Sequence, residues 1–122
     1  MNTDINTLTE GVLGAAFEVS NTLGAGFLEK VYERALLFEL RNRGMNVIAQ
    51  PIFSVEYKGE CIGEFCPDIL VENSLLVELK CVERFCPEHL AQCLNYLRAS
   101  HKKLCLLLNF HKPTVEWKRL AP

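Results

Sequence analysis

The sequence predicts an α/β fold in which a short, mixed and mostly antiparallel sheet is flanked by helices. Three observations predict it: helical apolar spacing in the first third of the chain, short strand-length apolar runs from Val47 onward, and a closing strand–helix–strand order. Residues 9–23 set Val12, Leu13, Ala16, Phe17, Val19 and Leu23 at helical intervals, and Leu23-Gly24-Ala25-Gly26 punctuates the end. A second amphipathic helix is expected from Leu28 to about Arg43, with Val31, Ala35, Leu36, Phe38 and Leu40 as core contacts. Gly44 stands just past its end, where a left-handed residue belongs. Segments 47–57 and 61–65 read as strands around a Lys58-Gly59-Glu60 turn, and 68–71 and 75–80 as a second pair around Glu72-Asn73-Ser74. Pro87 opens a third helix reaching about Ala99, because proline suits a first helical turn. Residues 104–109 read as a buried strand and 114–119 as a last one, which implies one parallel crossover.

The 122 residues suit one domain with one core, and 49% hydrophobic and 23% charged residues exclude a disordered chain. The longest apolar runs, 104–108 and 69–71, fall far short of the ~20 residues a membrane helix needs. Met1-Asn2-Thr3-Asp4 has no basic, apolar leader pattern, so a cytoplasmic protein is expected. Six cysteines include two C-x4-C pairs, Cys61/Cys66 and Cys81/Cys86, but no paired CxxC knuckles of a zinc site. Free, buried, packing thiols are the expectation. A net charge of −2 argues against a protein that coats nucleic acid nonspecifically. From Val82 onward, however, Arg84, Arg98, Lys102, Lys103, Lys112, Lys118 and Arg119 outnumber Glu83, Glu88 and Glu116. A modest basic face and an ordinary solvated surface both fit that distribution.

The chemistry concentrates in Pro67-Asp68 and Glu78-Leu79-Lys80. Alternation along a strand sends Glu78 and Lys80 to one face and Leu79 to the other. Asp68 joins them only if the intervening loop is the odd-length Glu72-Asn73-Ser74, which pairs Val71 with Leu75 and sets Asp68 opposite Glu78. Two adjacent carboxylates repel, and a hard divalent cation relieves the repulsion with oxygen ligands. Such a cation polarises a phosphoryl oxygen and acidifies water, while a nearby ammonium steadies the developing charge. An acid–x–base triplet at a strand end also arises by chance, and a surface Glu–Lys pair is worth little. Leu75-Leu76-Val77 makes this strand a buried one, and charges at the end of a buried strand mark a site. His89, Gln92 and Tyr96 share one face of the next helix, either as substrate contacts or as a polar flank. Glu29 and Tyr32 lie one turn apart at the start of the second helix, where a glutamate ordinarily serves the helix dipole.

Gly26-Phe27-Leu28-Glu29-Lys30-Val31-Tyr32 matches the GxxExxY signature, and the chain resembles the GxxExxY family of the PD-(D/E)XK nuclease superfamily. The resemblance extends over Asn21–Gly24, Asp68–Val71, Val77–Lys80, Gln92–Leu97 and Leu106–Phe110, and Gln92 with Tyr96 is similar to the Q-x3-Y element of RecB-like nuclease domains. It implies a metal-dependent nuclease, with DNA rather than RNA as the expected substrate and Mg²⁺ or Mn²⁺ as the cofactor. Asp68 and Glu78 would be metal ligands, with the Leu79 carbonyl as a third and Glu29 as an outer acid. Lys80 would activate the attacking water, Gln92 would assist it, and Tyr96 and His89 would contact substrate. Ser20 stands where a histidine is expected before the Leu-Gly turn, which weakens any additional site there. No recognition-helix pattern or aromatic–basic interleaving appears, so specificity is expected from substrate shape, a partner protein, or a homodimer or larger complex. The alternative is a catalytically silent nuclease-fold module that binds nucleic acid or a protein.

Overall fold

The computed structural model describes residues 4–122. The elements run α1 (Ile5–Leu23), α2 (Glu29–Asn42), β1 (Val47–Ala49), β2 (Phe53–Tyr57), β3 (Glu60–Phe65), β4 (Ile69–Val71), β5 (Leu75–Lys80), α3 (Pro87–Ser100), β6 (Leu104–Asn109) and β7 (Glu116–Leu120). A five-stranded sheet has the order β1-β4-β5-β6-β7, and β2 and β3 form a separate two-stranded hairpin. Among the described residues only β5 and β6 are parallel neighbours, joined through α3; the other pairs are antiparallel. The result is the expected α/β fold with a mixed, mostly antiparallel sheet.

Helices pack on both sheet faces. Leu75, Val77 and Leu79 of β5 meet Val12, Ala16 and Val19 of α1 and Tyr32, Leu36 and Leu40 of α2. On the other face Leu70, Leu76 and Leu107 meet Cys93 and Leu97 of α3, with Phe53 and Phe65-side residues of the hairpin nearby. Strand β5 is therefore buried on both sides, which explains its unbroken Leu75-Leu76-Val77 run. Each such leucine contributes ~1.5–3 kcal/mol through burial.

Several sequence expectations change. The stretch 47–57 is two strands, because Gln50 adopts φ 50° and Pro51 follows with no N–H to donate. The Gln50 N–H still bonds the Asp68 carbonyl at 2.8 Å before the chain leaves the main sheet. The β2–β3 turn holds two residues, Lys58 and Gly59, both left-handed, so Glu60 already pairs with Tyr57. On α2 the inward stripe is Tyr32, Glu33, Leu36, Leu37 and Leu40, whereas Val31 and Phe38 are exposed. The six cysteines are free as expected, but only Cys93 and Cys105 are buried; Cys61 and Cys66 are exposed. Gly44 does sit left-handed after α2, and no helix among the described residues is long and apolar enough to cross a membrane.

Candidate active site

The β4–β5 register is Val71 with Leu75, Leu70 with Leu76 and Ile69 with Val77, which carries Asp68 opposite Glu78. The intervening turn has Glu72 and Asn73 both left-handed. Glu72 offsets the strain of that conformation by linking to β1: its N–H bonds the Asn46 carbonyl at 2.8 Å, and its Oε1 accepts the Asn46 N–H at 2.9 Å. With the register fixed, Asp68 and Glu78 tie their own strands together. The Asp68 N–H donates to Glu78 Oε1 at 2.7 Å, and the Leu79 N–H donates to Asp68 Oδ2 at 2.8 Å. One oxygen of each carboxylate is thereby occupied, and among the described residues Asp68 Oδ1 and Glu78 Oε2 make no hydrogen bond.

Burial and crowding both resist charge on this pair. Glu78 is only 4% exposed, and burial, followed by repulsion from Asp68, pushes its carboxyl up to about 8. Burial pushes Asp68 up to about 6, opposed by the Leu79 N–H and reinforced by the negative charges of Glu33 and Glu29. Such a site gains from an added cation. Lys80 shares the strand face of Glu78, and its Nζ donates to Gln92 Oε1 at 3.3 Å; Gln92 Nε2 in turn donates to Tyr96 Oη at 2.9 Å. Helix α3 thus holds the lysine through a chain of two side chains, with Tyr96 stacked on Phe65 at 4.7 Å.

The remaining expected residues are placed differently from one another. Glu29 is exposed in the first turn of α2, and its charge reaches Asp68 and Glu78 from the opposite layer. His89 turns back onto its own helix end, where Nδ1 accepts the Cys86 N–H at 3.1 Å and the ring meets Phe85 edge-on. Among the described residues, no group of three His, Cys, Asp or Glu side chains is close enough to hold a metal ion. The oxygen donors that do converge, two carboxylates each with one oxygen free, still fit a hard cation that keeps several waters of its own, as Mg²⁺ does.

Glu33 is a residue the sequence reading missed. It is 5% exposed, its Oε2 accepts from Lys30 Nζ at 2.6 Å, and its negative charge helps to raise Asp68. Its signal was present, since 29, 33, 36 and 40 form one helical stripe and place this acid on the inward face. Tyr32 lies outside the site. It is wholly buried, stacks on Phe110 at 5.0 Å, donates to the Gly24 carbonyl at 2.6 Å and accepts the Phe27 N–H at 3.2 Å. It clamps the turn in which Gly24 and Gly26 take positive φ, and so fixes where α2 and Glu29 begin.

Beyond the lysine, Asn109 braces the chain. Its Nδ2 donates to the Val82 carbonyl at 2.7 Å, and its Oδ1 accepts the Val82 N–H at 3.1 Å; the Phe110 N–H bonds the Lys80 carbonyl at 2.9 Å. Asn109 is fully buried, so Asn109→Ala leaves backbone groups of Val82 unpaired. The expected cost is ~1–3 kcal/mol in denaturant unfolding, with a matching loss of order after Lys80.

One hairpin thus sets two carboxylates beside a lysine, between helical layers on a mixed sheet of an α/β scaffold. The chain belongs to the PD-(D/E)XK nuclease superfamily, whose sequence profile matches residues 6–120. The fold is similar to that of an alkaline exonuclease (LHK-Exo) from Laribacter hongkongensis, at TM-score 0.52 and 13% identity over 93% of this chain and 81% of that one. The structure of LHK-Exo in complex with dAMP is similar at TM-score 0.53 and 13% identity, over 93% and 82% of the two chains. No curated protein matches the sequence.

Proposed function

We propose that this protein is a metal-dependent nuclease that hydrolyses phosphodiester bonds, of DNA in preference to RNA, and that it is of the GxxExxY type. The observation that carries the proposal is the Asp68–Glu78 pair, locked by reciprocal backbone hydrogen bonds at the end of a buried strand with Lys80 on the same face. Membership of the nuclease superfamily and a fold shared with an exonuclease that binds dAMP support the same reading.

Asp68, Glu78 and the Leu79 carbonyl would hold Mg²⁺ or Mn²⁺, with Glu29 as an outer acid and Glu33 adding negative charge. When bound, the cation supplies Lewis-acid polarisation of the phosphoryl group and acidifies water. The protein's own side chains do the rest. The Lys80 ammonium, held by Gln92, orients the attacking water and stabilises charge on the phosphoryl oxygens. Water oxygen bonds to phosphorus and gives up one proton to solvent, the opposite P–O bond breaks with its electron pair, and the leaving oxygen takes up one proton from solvent. Tyr96 fixes the Gln92 amide and borders the substrate path, whereas His89 serves the start of α3 in this conformation. A cytoplasmic setting, where the free thiols stay reduced, fits this role, and a homodimer or larger complex would let the small domain act on both strands.

A second reading, a silent module of the same fold, draws on the lack of a three-residue metal cluster among the described residues. The two separate on incubation of purified protein with labelled single- and double-stranded DNA and RNA in Mg²⁺ or Mn²⁺. Cutting that chelator abolishes is the expected result. No cutting of any substrate, in either metal, favours the silent module.

A further inference from the structure

We infer that the channel between the β2–β3 hairpin and α3 is a binding track for a single strand of DNA leading away from Lys80. This inference rests on the nuclease reading for its direction, but binding by the track is independent of cleavage. Two adjoining hollows, about 520 Å³ and about 340 Å³, share Val55, Glu56, Arg98 and Ala99 and so form one groove. One end opens at Tyr96, the residue bonded through Gln92 to Lys80, and the other reaches His101. From Gln92 to His101 the helix advances ~14 Å, the length of about four stacked nucleotides.

The lining matches an unpaired strand. Phe65 stacks on Tyr96 at 4.7 Å and on Phe53 at 5.3 Å, giving an apolar floor where bases can leave water. The α3 wall carries Arg98 and Asn95, with His101 at the end of the helix, all exposed, and these groups suit phosphate and sugar. Glu56 stands on the hairpin wall, so charge runs across the groove and orients the strand with phosphates toward α3. A duplex keeps its bases stacked inside and cannot sink them between a helix and a two-stranded hairpin. The aromatic and basic residues come from β3 and α3, about thirty positions apart in sequence, which is why no interleaved motif announces the track.

The test uses an inert background, Asp68→Asn, with a fluorescein-labelled ten-nucleotide single strand and its duplex, read by anisotropy at several salt concentrations. Arg98→Glu is expected to weaken single-strand binding roughly tenfold and to flatten the salt dependence by about one to two phosphates. Glu56→Gln is expected to tighten it by about threefold, while the duplex binds more weakly than the single strand throughout. Both positions are exposed, and melting curves matching the background confirm that each variant folds. Unchanged affinity and salt slope in Arg98→Glu, or equal binding of duplex and single strand, overturns the track. If the track binds as expected and wild type never cuts, the nuclease reading fails and the track stands. If wild type cuts and Arg98→Glu cuts equally fast at limiting substrate, the track fails and the nuclease reading stands.

Discussion

Asp68→Asn is expected to lower DNA cleavage by at least about a hundredfold while making the metal-free protein more stable at pH 8. The two effects share one cause. The carboxylate holds one free oxygen beside Glu78, in a setting where burial and the charges of Glu33 and Glu29 oppose ionisation. An asparagine keeps a carbonyl oxygen to accept the Leu79 N–H but carries no charge, so it preserves the strand link and removes the repulsion. Lys80→Ala should lose cleavage to a similar extent without the gain in stability, because it deletes the cation that favours both carboxylates. Single-turnover assays with Mg²⁺, paired with thermal melting in chelator, check both variants. Cleavage by Asp68→Asn at near wild-type rate would remove this carboxylate from the chemistry.

With chelator present, stability should fall as pH rises, and divalent cation should restore it most at the alkaline end. Asp68 titrates near 6 and Glu78 near 8, both above the ordinary carboxylate range, chiefly because they are buried. Between about pH 4 and pH 8 the folded protein therefore holds more protons than the unfolded chain, so ionising the pair costs folding free energy. The stabilisation is complete below the unfolded values and is lost as pH rises through about 6 and then about 8. The pair titrates jointly, and the expected total is a few kcal/mol, or roughly 10 °C in Tm for a chain of this size. Added Mn²⁺ or Mg²⁺ binds the ionised pair and should recover much of that loss at pH 8, with little effect at pH 5. A melting temperature independent of pH in chelator would show that the two carboxyls do not oppose each other as described.

Much of this was legible in the sequence because it is local. The odd-length Glu72-Asn73-Ser74 turn and strand alternation were enough to set Asp68 opposite Glu78 with Lys80 on the same face. The apolar run before Glu78 announced a strand buried on both sides. Less was legible where a single residue redirected the chain. Gln50 takes a left-handed conformation that its side chain does not advertise, so one expected strand became two in different sheets. Helix α2 was read with its apolar stripe turned by about one position, which put Phe38 inward and overlooked Tyr32, Glu33 and Leu37. Its own apolar residues nearly encircle it, and only packing against α1 and β5 selects the buried face. His89 shares a helix face with Gln92 by spacing, and the structure adds what spacing does not show, a bond from the Cys86 N–H to its Nδ1.

The two carboxylates and the lysine all lie on one hairpin, within a span closed by a short turn. Closing so short a loop costs little entropy, so this part of the centre assembles early and reassembles readily after a local opening. The lysine depends on more distant attachments, to Gln92 from α3 and to β6 through Phe110 and Asn109. Loosening of α3 or β6 would therefore leave the carboxylates facing each other while the ammonium wanders. Heat or mild denaturant should silence such a protein before it loses its affinity for a cation.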